Sequence, residues 1–204
     1  MTPDSELAPN HHAHHPGFKG ASGLVAALSF LGGRDNDART AADLVHLDAA
    51  DRVVDIGCGP GVAADLASRR AASVVAIDPA AVMLRVARLR FRAANLSFRT
   101  GTAEALPVED AAATVVWSLS TVHHWHDLDA GLAEVTRVLR PGGRFLVTER
   151  QVASGATGVA SHGWTEPQAA AFARLCETAG LTDVETGSVP GGQRPLLWVR
   201  AVRS

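Results

Sequence analysis

The stretch Val53-Val54-Asp55-Ile56-Gly57-Cys58-Gly59-Pro60-Gly61 decides how this chain is read. A short β-branched run meets an acid and three closely spaced glycines, and a helical pattern over Val62–Arg70 follows at once. Glycine turns tightly and lets the backbone approach a ligand because no Cβ intervenes. The N-terminus of the next helix adds partial positive charge on the same side. Two phosphate-binding motifs fit poorly. The dinucleotide fingerprint G-x-G-x-x-G/A, counted from Gly57 and Gly59, needs a small residue where Val62 stands, and glycine comes one place early at Gly61. A Walker loop would end in Gly-Lys-Ser/Thr, which is absent. The turn suits a ligand with a carboxylate and a ribose but no phosphate.

Outward from this stretch, β-type runs alternate with helical ones. Strands are expected at Arg52–Ile56, Ser73–Ile77, Leu96–Thr100, Thr114–Ser118 and Arg144–Glu149. Helices are expected near Val62–Arg70, Ala80–Ala93, Leu128–Leu139 and Glu166–Ala179. Ala38–Leu47 also has helical spacing, and Gly20–Leu31 reads as a short helix covering the sheet or the ligand. The run Thr165-Glu166-Pro167-Gln168 is a capping box with proline in the first turn, and Gly180 closes that helix. Such alternation predicts an α/β fold, a mainly parallel sheet with helices on both faces. Asp183–Val189 and Pro195–Val202 flank Gly191-Gly192 with no helix between, so the sheet should end with an antiparallel strand.

A length of 204 residues fits one domain, read as 20–204 with residues 1–19 a flexible N-terminal arm. The hydrophobic share of 47% and charged share of 20% are ordinary for a folded chain. A net charge of −2 and a pI near 6.5 argue against a nucleic-acid partner, which selects a basic face. Met1–Pro16 carries acids and histidines where a signal peptide needs a basic and then an apolar region. No apolar run approaches the roughly 20 residues that span a bilayer, so no membrane partner is expected. Cys58 and Cys176 are the only cysteines, and Cys58 lies in the glycine turn; a cytoplasmic protein without a structural disulfide is expected.

The second strand runs into Asp78, in Val74-Val75-Ala76-Ile77-Asp78-Pro79. An acid at the carboxyl end of this strand can accept two hydrogen bonds from a ribose diol. The plainer alternative is that Asp78 only caps the helix begun by Pro79. Four ordered motifs now stand together: Val53–Gly61, Asp78, Gly101-Thr102-Ala103-Glu104-Ala105-Leu106-Pro107 and Val138-Leu139-Arg140-Pro141-Gly142-Gly143. Over about residues 38 to 202 the chain resembles the class I S-adenosylmethionine-dependent methyltransferases, most closely the small-molecule, methyltransferase type 11-like branch. The resemblance implies a Rossmann-like, seven-stranded, mainly parallel sheet with an antiparallel terminal strand, and S-adenosyl-L-methionine as cofactor, leaving S-adenosyl-L-homocysteine as product. It implies that Asp55 and the backbone of Gly57, Cys58 and Gly59, in the turn closed by Gly61, hold the methionine end. Asp78 would hold the ribose, Pro79 and Met83 would flank the adenine, Ala103 and Glu104 would lie at its edge, and the Ser118 carbonyl would face the methionine amino group. Thr102 departs from the usual Asp, which would shift an adenine amino contact to Glu104. Ala113-Thr114 replaces an aromatic-Asp pair, read as packing at a strand entry.

Methyl transfer from a sulfonium is an in-line displacement by an activated donor, so the protein aligns the acceptor, excludes water and removes a proton where needed. Acceptor-facing residues should follow the fourth strand, where Ser118-Leu119-Ser120-Thr121-Val122-His123-His124-Trp125-His126-Asp127 falls. His123 and His124 are the candidate bases, with packing or orientation as the alternative. Trp125, His162 and Trp164 are candidate substrate contacts, the last two on the long loop before the capped helix. Zinc held by His123, His124 and His126 lacks cysteines and i, i+4 spacing, so no metal is expected. His11, His12, His14 and His15 read as a loose cluster with adventitious metal binding or no role. No Asn/Asp/Ser-Pro-Pro-aromatic run follows strand four, which argues against exocyclic base amines as acceptors. The expected function is methylation of a small-molecule acceptor at a hydroxyl of a sugar, polyketide or lipid-derived compound. Carbon or nitrogen methylation, a nicotinamide-dependent oxidoreductase and a non-catalytic cofactor binder are the alternatives, and a homodimer is compatible with so small a domain.

Overall fold

The computed structural model describes residues 8–13, 35–192 and 194–204. The helix expected at Gly20–Leu31, and His14 and His15, lie outside the described residues. At the centre of the sheet stands β1 (Arg52–Ile56), flanked in parallel by β2 (Ser73–Asp78) and β4 (Ala113–Leu119). Val54 sits opposite Val75 on one side and Val116 on the other. With β3 (Leu96–Thr100), β5 (Leu139–Arg150), β6 (Leu181–Val189) and β7 (Leu196–Arg203), the strand order is β3-β2-β1-β4-β5-β7-β6. β7 is antiparallel to both β5 and β6, as the glycine-flanked runs predict. The chain winds one way from β1 to β3 and resumes on the other side at β4. That reversal opens a crevice at the carboxyl ends of β1 and β4, where ligands of open α/β sheets bind.

Helices cover both faces. α1 (Asp35–Leu44) and α2 (Val62–Ser68) lie on one side with Val53, Val115, Trp117 and Leu146. Their contacts with the sheet are small residues, Ala41, Ala42, Ala64 and Ala67, all buried. α4 (Leu128–Val138) and α5 (Glu166–Thr178) cover the other side with Val54, Ile56, Val116, Phe145 and Val147. The period of two along each strand sends alternate residues to alternate layers. α3 (Ala81–Arg90) connects β2 to β3. The capping box of α5 forms as the sequence predicts, with Thr165 N donating to Gln168 Oε1 at 2.9 Å.

β5 begins at Leu139, five residues ahead of the expected Arg144. Leu139 pairs with Ala113 across a register shift, so the Pro141-Gly142-Gly143 stretch is carried inside the strand. Thr114 Oγ1 donates to Asp51 Oδ1 at 2.6 Å and accepts from Arg52 N at 2.9 Å, while Arg144 also binds Asp51. The Thr114 position therefore clamps the entry edge of the sheet, opposite the crevice. Ala8–Ala13, expected as part of a mobile arm, instead forms a turn laid on the domain, where Pro9 O accepts from buried Trp164 Nε1 at 2.7 Å. Among the described residues no helix is long and apolar enough to cross a membrane.

Candidate functional site

At the end of β1 the chain turns through Gly57, Gly59 and Gly61, all with positive φ. Each glycine is required for a different reason. A Cβ at Gly57 would lie 2.6 Å from the Thr121 side chain, and one at Gly61 would touch the Phe98 ring at 3.0 Å. Gly61 therefore serves the packing of α2 rather than ligand approach. A Cβ at Gly59 would meet no atom within 4 Å, so this glycine alone faces open space. The turn amides do not point outward as the resemblance implies. Gly57 N and Cys58 N both donate to Ile77 O, at 2.8 and 3.0 Å, and Gly59 N donates to Asp78 Oδ2 at 2.9 Å. These bonds tie the turn to the end of β2.

What this edge offers a ligand is acidic. Asp55 is buried, and its Oδ2 has no hydrogen-bond partner among the described residues. Burial pushes its carboxyl up to about 7, and the neighbouring Asp78 charge adds to the shift. A buried acceptor left without a donor is costly, and a ligand ammonium would satisfy it. Asp78 Oδ1 also accepts from Ala80 N at 2.8 Å, a local bond just ahead of α3, whose N-cap residue is Ala80. No side-chain hydrogen bond caps α3 itself, and each Asp78 carboxylate oxygen keeps a lone pair for a diol. Burial raises this carboxyl as well. Asp55, Gly57, Cys58 and Gly59 line one cleft with Asp37, Leu119, Ser120 and Thr148. These features fit a ligand carrying an ammonium and a ribose.

The remaining expected contacts divide. Pro79 is exposed and Met83 buried at the start of α3. Ala103 is buried, and Glu104 spends Oε1 on His126 N and Asp127 N, at 2.8 and 3.2 Å, where α4 opens. That capping role leaves Glu104 a weak candidate for an adenine amino group. Ser118 is fully buried, its Oγ 2.5 Å from Thr121 Oγ1, and Thr121 Oγ1 in turn donates to Ile56 O. This short chain of hydroxyls joins the end of β4 to the end of β1.

Beyond Thr121, Val122–His124 make a 3₁₀ turn that buries His123. His123 Nδ1 lies 2.9 Å from Glu149 Oε2, and Glu149 is fully buried near the end of β5. His123 Nε2 is buried without a hydrogen-bond partner among the described residues. His124 lies tilted against the His123 ring, ring centroids 4.1 Å apart, and burial together with His123 and His162 holds its pKa down at about 3. His162 closes the group at 5.5 Å from the His123 ring and 5.3 Å from the His124 ring. His12 stacks on His162 at 4.4 Å, donates its backbone N–H to His123 O at 2.9 Å, and places Nε2 3.0 Å from Ser161 Oγ.

Three expectations on this side are corrected. Trp125 is not a substrate contact: it is buried against Gly131 of α4, where a Cβ would fall 2.5 Å from its ring. Trp164 is fully buried against Phe172, ring centroids 5.1 Å apart, so it is core rather than pocket wall. His11 and His12 are not a loose cluster, since both bond the Ser161 segment. Glu149 was missed altogether. The available signal was an acid at the end of a strand otherwise apolar on that face, in Phe145, Val147 and Glu149.

A mainly parallel open sheet with a glycine turn and two acids at its carboxyl edge has the form of a nucleoside-binding α/β domain. Residues 54–147 match the methyltransferase domain family model. A probable S-adenosylmethionine-dependent methyltransferase of Mycolicibacterium smegmatis is 33% identical over 147 residues, 70% of this chain and 56% of that protein. A ubiquinone biosynthesis O-methyltransferase of Chelativorans sp. is 35% identical over 98 residues, 47% of this chain and 39% of that protein. The chain thus spans about half or less of the length of these curated relatives. The crystal structure of a SAM-dependent methyltransferase from Aquifex aeolicus superposes with a TM-score of 0.74 at 16% identity, over 89% of this chain and 98% of the other. Over the matched residues the chain carries a methyltransferase domain similar to that of S-adenosylmethionine-dependent relatives.

Proposed function

We propose that this protein transfers the methyl group of S-adenosylmethionine to a hydroxyl of a small molecule. The observation that carries the hydroxyl assignment is the buried His123–Glu149 pair at the same sheet edge as the glycine turn. The bound donor supplies a methyl on a sulfonium, already activated for displacement. Asp55 would take the methionine ammonium, which would give its Oδ2 the donor that oxygen lacks among the described residues. Asp78 accepts from the ribose diol with its remaining lone pairs. Gly59 lets the donor approach the turn. Glu149 holds the His123 ring through Nδ1 and leaves Nε2 to take the hydroxyl proton, while the methyl would pass from sulfur to the acceptor oxygen and leave S-adenosylhomocysteine. His124 and His162 flank the acceptor beside it.

Incubating the protein with isotope-labelled donor and a metabolite extract, then identifying the labelled product, tests the proposal. Label on an oxygen of a small molecule is expected. Label on carbon, nitrogen, nucleic acid or protein would overturn the hydroxyl assignment.

A further inference from the structure

The histidines beside the proposed acceptor position carry a second arrangement that methyl transfer does not require. One nitrogen each from His123, His124 and His162 lies within 4.8 Å of the other two. The three come from two segments far apart in the chain, a 3₁₀ turn after β4 and the loop before α5. We infer that they form a binding site for a divalent first-row d-block cation, of which zinc is the natural probe.

The strongest support lies behind the ring of His123. Its Nδ1 is engaged by the fully buried Glu149 carboxylate, and its Nε2, buried and without a hydrogen-bond partner among the described residues, is the nitrogen left to bind. Metal-bound histidines characteristically give their other ring N–H to a carboxylate, which fixes the tautomer and makes the ligand more basic. A set of imidazoles selects zinc, copper, iron or nickel over magnesium or calcium, which prefer oxygen. Zinc–nitrogen bonds of about 2.0–2.1 Å at tetrahedral angles put ligand nitrogens about 3.4 Å apart, so nitrogens now within 4.8 Å of one another complete the geometry by side-chain rotation. Only His123 is deeply buried; His124 and His162 are half-buried, which gives the ion a route in. His126, the third ligand considered from sequence alone, is exposed, and His162 stands in its place.

Three protein nitrogens leave a position open for water or another oxygen ligand. On the methyl-transfer reading, the cation and the acceptor proton would compete for His123 Nε2, and an acceptor hydroxyl bound to the cation would be acidified by it. Cation binding itself does not depend on that reading.

The test is zinc titration of the metal-stripped full chain against a chromophoric chelator, with S-adenosylhomocysteine affinity measured on the same samples. The expected result is one zinc per chain with a Kd of about 1 µM or tighter. His124→Ala and His162→Ala should each weaken it at least about tenfold, and Glu149→Gln by about 10- to 100-fold, with S-adenosylhomocysteine binding retained. His162 lies in a loop, so its variant keeps the test open if the others fold poorly. Absence of saturable binding overturns the site. So does binding that survives His162→Ala but is lost when His14 and His15 are both replaced by alanine. Zinc binding with this residue dependence in a chain that fails to bind S-adenosylhomocysteine would support the metal site and count against the methyl-transfer reading.

Discussion

The glycine turn and the histidine cluster occupy the same edge of one sheet, but they are assembled over very different distances in the chain. The turn is local: Asp55 to Gly61 with Asp78, on adjacent parallel strands whose register sets Asp55 beside Ala76. The cluster draws on four segments, with His12 from the N-terminal turn, His123 and His124 after β4, Glu149 from β5 and His162 from the loop before α5. Local construction gives a donor site of fixed shape, because strand ends and a glycine turn leave little freedom. Long-range construction lets the acceptor side be rebuilt by changing loops while the donor side stays as it is. If that division holds, substitutions on the two sides should fail in different assays.

The largest expected effect is on chemistry alone. With the true acceptor, His123→Ala should lose about 10²–10⁴ in turnover and still bind S-adenosylhomocysteine. A loss under about fivefold would end the role of His123 in proton removal. Next comes a residue that sequence placed in the pocket and structure places in the core. Trp164→Ala should cost about 3–5 kcal/mol of stability, read as a lower denaturant midpoint. A stable variant with only a raised KM for acceptor would return Trp164 to the pocket wall.

A smaller effect separates the sides by pH. With the Asp55 carboxyl raised from 3.8 to about 7, the folded protein holds a proton that the unfolded chain releases between these values. Its contribution to stability is therefore present below about pH 4 and is lost as pH rises through 7. Binding runs the other way, because only the carboxylate attracts the ligand ammonium. S-adenosylhomocysteine affinity should rise with pH toward about 7 to 8, by at most about tenfold per unit below the midpoint. Asp55→Asn should flatten that profile, and an unchanged slope in the variant would remove Asp55 from the ammonium site. The smallest effect concerns the scaffold. Asp127 caps α4 by accepting from Ala130 N at 3.0 Å, so Asp127→Ala should cost about 1 kcal/mol of stability. Donor affinity should stay the same; a drop would show that the opening of α4 reaches the donor site.

The same contrast explains what was legible beforehand. Strands β1 and β3 fall where alternation and glycine punctuation put them, because each is a short run that a glycine ends, at Gly57 and Gly101. The beginning of β5 was not legible, since Pro141-Gly142-Gly143 reads as a turn and is strand only because Leu139 finds Ala113 across the sheet. At the site, Asp55 and Asp78 were visible because each lies at the end of a strand, at or beside the glycine turn. That the Gly57 and Cys58 amides serve Ile77 O was not, since no local pattern states which way an amide points. Trp125 and Trp164 were misplaced for a related reason. An aromatic residue next to a histidine suggests a pocket, whereas Gly131 and Phe172, which bury these rings, lie elsewhere in the chain. Glu149 was lost because its partner is 26 residues away.

The claim on which the rest depends is that the acid-lined glycine turn binds the methyl donor. Calorimetric titration of the wild-type chain and of Asp78→Ala with S-adenosylhomocysteine, with NAD as the competing ligand class, tests it most directly. The account predicts one site of micromolar affinity for S-adenosylhomocysteine and none for NAD. It also predicts at least about tenfold weaker binding in Asp78→Ala, from the loss of charge-assisted hydrogen bonds worth about 1.5–3 kcal/mol each. No heat with S-adenosylhomocysteine, or unchanged affinity in a folded Asp78→Ala variant, would contradict it.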